Sequence, residues 1–304
     1  MVERRPWLDL FTHALLLFSA LALLLPVWLG FVAATQNLAG VNSIPINWLP
    51  GPHLLDNLGE AWRRGDFGTR FTTSFIVAAG VTAGKILLAM LAAFAIVFFQ
   101  WRAKQIVFWL IFLTLMLPLE VRIVPTYAVA ANALAPFQAI LDVLGLTGLV
   151  ETLSGVRIAL EWRLLNSYAG LILPLIATAT GTFLYRQFFL TIPEELVEAA
   201  KMDGAGPLRF LRDVLAPLST TTIAALATIQ FVYSWNQYLW PLLVTTEPDR
   251  TTVMVQLSRM VPRGDSLPEW NVAMAGVMLV MLPPLLVVIL MQRWFVRGLV
   301  QTEK

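Results

Sequence analysis

Apolar residues run almost unbroken through six stretches of this 304-residue chain, near 10–34, 71–99, 106–130, 168–190, 220–245 and 271–292. Each is long enough for a membrane-spanning helix, which needs roughly 20 mostly apolar residues. The stretches between them, such as NSIPINWLPGPHLLDN and TTEPDRTTV, are rich in Pro, Gly, Asn and charge. Trp7, Trp101, Trp270 and Trp294 sit near span ends, where amphipathic rings favour the membrane interface. The first apolar run is too long for a signal-peptide core, about 7–15 residues, and is read as a retained first span. No repeat, low-complexity tract or linker divides the chain. Residues 1–304 are therefore expected to form a single transmembrane domain, all-α, with six transmembrane helices.

Composition agrees with that pattern. The mean hydropathy is +0.73, with 58% hydrophobic and 13% charged residues, against about a quarter charged in soluble chains. No cysteine and two histidines argue against disulfides, iron–sulfur clusters, thiol catalysis and cysteine-based zinc sites. A formal net charge of +2 gives no footing for nucleic acid. Placement of the basic residues says more than their sum. An even number of spans puts both termini on one side, and the basic residues of that side, Arg102, Lys104, Arg186, Lys201, Arg209 and Arg212 among them, lie in short segments beside span ends. That is the distribution the positive-inside rule weighs, so both termini are expected in the cytoplasm.

One stretch breaks the pattern. PEELVEAAKMDGAG (193–206) reads as a small soluble helix between two apolar runs. Thr191-Ile192-Pro193-Glu194 matches a capping box. Glu194, Glu195 and Glu198 sit toward the positive end of the helix dipole, and Leu196, Val197, Ala199 and Ala200 form a narrow apolar stripe. Gly204 and Gly206 stop the helix. Pro207 opens a second one, with Leu208, Leu211 and Leu215 expected on one face. Ten helical residues span only about 15 Å and hold poorly alone, so the piece calls for a surface to rest on: its own membrane domain or another chain.

Several spans carry chemistry worth weighing. GVTAGK (80–85) is one residue short of a phosphate loop and has Ile86 where Ser or Thr would hold magnesium, so ATP chemistry is expected elsewhere. Lys85 lies near the middle of the second span. It is read either as a positive point beside an anion's path or as half of a structural pair, with Glu120 or with carbonyls. Glu120 and Arg122 flank the proline-rich LPLEVRIVP, where Pro118 and Pro125 invite an unwound helix beside a cavity. An arginine there suits phosphate, or pairs with its neighbouring glutamate at the outer surface. Asn236, Gln237 and Trp240 are candidates for polyol contacts or, alternatively, helix glue and interfacial anchors. The stretch 134–163 is expected to form one or two amphipathic helices on the outer face.

Glu198-Ala199-Ala200, then Gly204, then Val214-Leu215-Ala216-Pro217 resembles the EAA loop of permease subunits in binding-protein-dependent ABC importers. The family pattern ends in Ile-x-Leu-Pro, from which Val214 and Ala216 depart. With WNQYLWPLL (235–243) and six spans, the chain is similar to the second permease of the carbohydrate-uptake, maltose-type class. RPW near the start, FVAAT (31–35), LPGPHLLDN (49–57), LMLPLEVRIVPT (115–126), LNSYAGLILPL (165–175), FLYRQFFLTIPEELVEAA (183–200) and MQRWFVRGLVQTEK (291–304) look like the permeases of sn-glycerol-3-phosphate importers.

The resemblance implies a type I importer permease fold in the bacterial cytoplasmic (inner) membrane. It implies a second permease subunit as heterodimer partner, an ATP-binding subunit dimer, and a periplasmic or lipid-anchored substrate-binding protein. It also implies no catalytic residue, metal or cofactor in this chain, with ATP and Mg bound by the ATPase. Glu195, Glu198, Ala199, Ala200, Asp203 and Gly204 would form the ATPase-coupling joint in the loop 191–217. Lys85, Glu120, Arg122, Asn236, Gln237 and Trp240 would line the substrate pathway. The substrate implied is sn-glycerol 3-phosphate or a glycerophosphodiester, with a neutral sugar or polyol as the alternative. A stand-alone secondary transporter would show paired inverted repeats or several intramembrane carboxylates, and an intramembrane enzyme a catalytic set; the sequence shows neither.

Overall fold

A computed structural model describes residues 6–114, 117–156, 159–264 and 267–301. Among the described residues the secondary structure is helical, with no strand. The first long helix, α1 (Pro6–Thr35), is followed by a loop and α2 (Leu54–Gly65), then by α3 (Phe67–Phe98). Next come α4 (Lys104–Leu113), α5 (Leu119–Ala131), and two short helices, α6 (Ala135–Val143) and α7 (Leu146–Ser154). α8 (Tyr168–Ile172) runs through a 3₁₀ turn toward α9 (Ala179–Phe189). The charged loop supplies α10 (Glu194–Met202) and the helical segment α11 (Pro207–Leu218). α12 (Thr220–Trp235), α13 (Leu239–Val244), α14 (Val253–Met260) and α15 (Trp270–Gln301) complete the chain.

Three helices are long and apolar enough to cross a membrane alone, over Leu10–Thr35, Phe67–Phe98 and Trp270–Gln292. Three bent pairs reach that length when joined: Val121–Ala131 with Ala135–Val143 (74°), Tyr168–Leu175 with Ala179–Phe189 (48°), and Pro207–Leu218 with Thr220–Trp235 (76°). The count is thus three, or up to six with each pair taken as one span.

The expected fourth span, 168–190, coincides with the second of these pairs, whereas the expected spans over 106–130 and 220–245 are divided at other points, and a proline stands at or beside each of these three breaks. Pro118 caps α5 in extended backbone. Pro174 lies in the 3₁₀ turn after α8, where it removes a helical N–H. The run over 220–245 divides at Asn236–Tyr238, because the ring of Pro241 would collide with the carbonyl four residues earlier in a continuous helix. The 134–163 stretch contains two nine-residue helices, α6 and α7. Thr147 Oγ1 donates to Asp142 Oδ1 at 2.6 Å and Gln138 Nε2 to the same atom at 3.0 Å.

By its internal contacts the chain divides into two units, Met1–Thr69 with Gln256–Leu282, and Arg70–Val255 with Pro283–Lys304. In the first, buried Asn57 ties the segments together. Its Nδ2 donates to the carbonyls of Ala34 (2.8 Å) and Gln36 (2.7 Å), and its Oδ1 accepts from Asn271 Nδ2 at 2.8 Å. Arg64 pairs with Glu60 and with Glu269. Hydrogen bonds from Arg63 and Arg64 hold the Glu60 carboxyl below the usual carboxylate range.

In the second unit, α3 is the central strut. Its Val77 and Val81 pack in a cluster with Leu171, Leu175, Trp240 and Val244. Further along, Ala89, Met90, Ala93 and Phe94 join Tyr185, Phe189, Ala200, Phe210, Leu211, Leu215 and Leu226. Gly80 and Gly84 lie four residues apart on one face of α3. A Cβ at Gly80 would come 2.8 Å from Ile172 Cδ1, and one at Gly84 would overlap Ile176 Cγ2. The absent side chains let the backbone of the broken α8–α9 span approach closely, the usual role of small residues between membrane helices.

Candidate functional site

Two features of the second unit could carry function: the charged loop and a cavity. The loop begins where α9 ends. Thr191 does not cap α10. Its Oγ1 donates back to the Phe188 carbonyl at 2.7 Å, and the cap position is held by Pro193 in extended backbone (φ −60°, ψ 140°) with no side-chain cap bond. The capping-box expectation is thus corrected. A proline disfavours helical backbone in the residue before it, so the helix cannot begin at Ile192 and starts at Glu194.

Its other end is as the sequence suggests. Gly204 has φ +71°. Its N–H donates to the Lys201 carbonyl at 3.0 Å, and the N–H of Ala205 to the Ala200 carbonyl at 2.9 Å. These two bonds form a Schellman motif, which needs a residue in left-handed backbone. Pro207 then occupies the first turn of α11, whose middle widens into a π turn over Leu211–Leu215.

The faces of the loop are narrower than expected. Ala200 is buried in the core cluster that includes Phe94, Phe189 and Phe210, and Val197 and Ile192 pack partly buried against that cluster. Leu196 and Ala199 face outward with Glu195, Glu198 and Asp203, all exposed. In α11, Phe210, Leu211 and Leu215 are buried while Leu208 is 74% exposed, which corrects the Leu208–Leu211–Leu215 face. The outer surface of the loop thus presents carboxylates around small and apolar residues, with Met202 83% exposed. Val214 and Ala216, the two departures from the EAA pattern, both pack partly buried on the core cluster.

The cavity is about 630 Å³ and is walled by α3, α4, α5, α9 and α12. Lys85, Arg122, Thr114, Thr178, Thr180, Thr182, Gln230 and Tyr233 supply its polar lining, with Leu88, Ala92, Ile111 and Ile229 among the apolar remainder. Lys85 and Gln230 are each 6% exposed. Lys85 Nζ donates to Gln230 Oε1 at 2.8 Å and stands 4.5 Å from the centre of the Tyr233 ring. Thr178 caps α9 by accepting from the Gly181 N–H at 3.4 Å, and the first turn of that helix opens onto the cavity.

Of the expected pathway residues, Lys85 and Arg122 meet at this cavity. The Glu120 side chain lies outside the described residues, as do Arg4, Arg5, Arg157 and the side chains of Arg293 and Arg297. Asn236 is exposed at the end of α12 and Gln237 is half-buried beyond it; neither lines the cavity. Trp240 is fully buried and its Nε1 donates to the Gly170 carbonyl at 3.1 Å, so it closes a packing seam between α13 and α8. The break at 236–238 also separates Asn236, at the end of α12, from Trp240 in α13. Gln230 was missed. Its signal was a lone amide inside the apolar TIAALATIQFVYSW, three residues before a tyrosine.

Residues 85–301 match the family described as "Binding-protein-dependent transport system inner membrane component". The chain is 46% identical to "sn-glycerol-3-phosphate transport system permease protein UgpE" of Pectobacterium atrosepticum, and 44% identical to the protein of that name in Escherichia coli O157:H7. Both matches cover 100% of each chain. A structural neighbour, from the "Crystal structure of a bacterial ABC transporter involved in the import of the acidic polysaccharide alginate", superposes with a TM-score of 0.73 at 19% identity, covering 97% of this chain and 99% of that one. The fold is that of a type I importer permease. The chain belongs to the binding-protein-dependent transport system inner membrane components, as a permease subunit of an ABC importer in the inner membrane.

Proposed function

We propose that the chain forms, with a second permease, the pathway by which sn-glycerol 3-phosphate or a glycerophosphodiester enters the cell. A separate ATP-binding subunit dimer drives the movement and carries ATP and Mg. A periplasmic or lipid-anchored binding protein delivers the substrate. Both termini and the 191–217 loop face the cytoplasm in this reading, in keeping with the basic residues near span ends. Glu195, Glu198, Ala199, Asp203 and Gly204 make or shape the surface that meets the ATPase. Ala200, turned inward, sets how closely α10 rests on its own domain. Lys85 and Arg122 lie on the pathway, with Glu120, Asn236 and Gln237 along its continuation.

The observation that carries the substrate is the full-length identity of 44–46% to permeases of the glycerol-3-phosphate system. Its test is ligand binding by the cognate binding protein, measured by calorimetry, with uptake by the reconstituted importer. The expected result is tight binding and uptake of sn-glycerol 3-phosphate. Preference for a neutral disaccharide or polyol would overturn the substrate and leave the driven-permease mechanism standing.

A further inference from the structure

The cavity gathers positive charge from three directions. Lys85 enters from α3, and among the described residues its amine donates to a neutral amide, Gln230, and stands over the Tyr233 ring. Arg122 enters from α5. The third source is backbone. Ala179 and Thr180, the first residues of α9, line the cavity, and the first N–H groups of a helix lack intrahelical partners and carry the positive end of its dipole. No Asp or Glu is among the described residues that line it. The chain breaks over 176–178, between α8 and α9, at the cavity wall. Irregular backbone at membrane depth is tolerated where it borders such a space, and the N-termini of broken helices there suit anionic groups.

We propose that this cavity is a phosphate-binding subsite, in which Lys85, Arg122 and the N–H groups of Ala179 and Thr180 at the start of α9 hold the phosphate of a phosphoester in transit. This rests on the phosphoester reading above and assigns this chain's own residues to it. Gln230 and Tyr233 hold the lysine amine at the cavity wall. A phosphate oxygen offers it a charge-assisted bond, stronger than the one to a neutral amide, so Lys85 turns from Gln230 to the ligand. Arg122 contributes a planar fork that takes two oxygens at once. A volume of about 630 Å³ is of the size that holds small ligands. A neutral polyol of the same size would leave both cations unmatched, so the subsite also selects.

The cysteine-free chain allows a direct test in the complete importer, reconstituted in liposomes of neutral lipid. Thr114→Cys places one thiol on the cavity wall, and its modification by anionic and cationic methanethiosulfonates of equal size is timed during turnover. The anionic reagent is expected to react about tenfold faster, as a focused positive field raises local anion concentration. Lys85→Met and Arg122→Gln should each remove most of that preference, and sn-glycerol 3-phosphate should protect the thiol. In the same variants of the otherwise natural chain, uptake should fall about tenfold or more, the loss expected for one charge-assisted bond. Arg122 is exposed on the cavity wall, so Arg122→Gln keeps the test valid where Lys85→Met fails to fold. Equal rates with the two reagents, or undiminished uptake in Arg122→Gln, would overturn the subsite. Protection by added anionic lipid and not by the phosphoester would assign the cavity to a headgroup and overturn it equally. Should the importer carry a neutral sugar instead, the substrate reading fails separately, and protection by inorganic phosphate would still support the subsite.

Discussion

At the scale of single residues, the second unit is organised around what α3 lacks and what it carries. An exposed lysine at bilayer depth costs about 2.5–3.5 kcal/mol on insertion scales, and Lys85 avoids that fate by ending on Gln230 and Tyr233. Gln230→Leu should therefore destabilise the detergent-solubilised protein by about 1–3 kcal/mol, the cost of leaving a buried polar group without its partner, seen as a lower thermal midpoint. An unchanged midpoint would mean the bond contributes little. At the preceding position of the same helix, Gly84→Val should overpack against Ile176, which even an added Cβ would overlap, at about 1–3 kcal/mol. The readout is the monomeric peak in size-exclusion chromatography, expected to shrink. GVTAGK thus has a reading the sequence did not supply. Its glycines are a helix-packing face and its lysine a cavity residue. The mismatch to a phosphate loop was legible, but the partners Ile172, Ile176 and Gln230 lie about 90–145 residues away in the chain, beyond any local pattern.

At the scale of elements, the charged loop shows which local rules carry weight. Its end was legible, because only a glycine-like residue suits left-handed backbone and Gly204 supplies one. Gly204→Val should cost about 1–2 kcal/mol through that conformation alone and weaken co-purification with the ATP-binding subunit. Its start was misread, because the proline rule overrode the S/T-x-x-E pattern. Thr191→Ala should accordingly leave thermal stability and co-purification nearly unchanged, whereas a true cap would lose about 1 kcal/mol. A clear loss in Thr191→Ala would restore the capping box. The broken spans follow the same lesson. Hydropathy registers apolar runs, since burial in lipid depends on composition, but it averages over the few residues where Pro118, Pro174 and Pro241 interrupt the helices.

At the scale of the whole molecule, fold class and membrane character were the most legible, because six long apolar runs leave a chain few alternatives. The EAA resemblance identified the family that residues 85–301 match. Pathway residues were half-legible: Lys85 and Arg122 converge on one cavity, whereas Trp240 is committed to Gly170. An intramembrane charge is conspicuous in sequence, but an aromatic residue looks the same whether it binds a ligand or fills a core. The molecule that results has a cavity at one level of α3 and, further along the same helix, a core cluster that includes Ala200 and Leu215 of the loop. That arrangement suits a subunit moved by another chain through α10. Charge reversal at Glu198, exposed on the outer face of α10, tests this most directly. In the reconstituted importer, Glu198→Arg should insert normally yet lose at least about tenfold in uptake per ATP-binding subunit added, equivalent to ~1.4 kcal/mol of lost docking or coupling. Uptake and assembly equal to those of the unaltered importer would contradict the account.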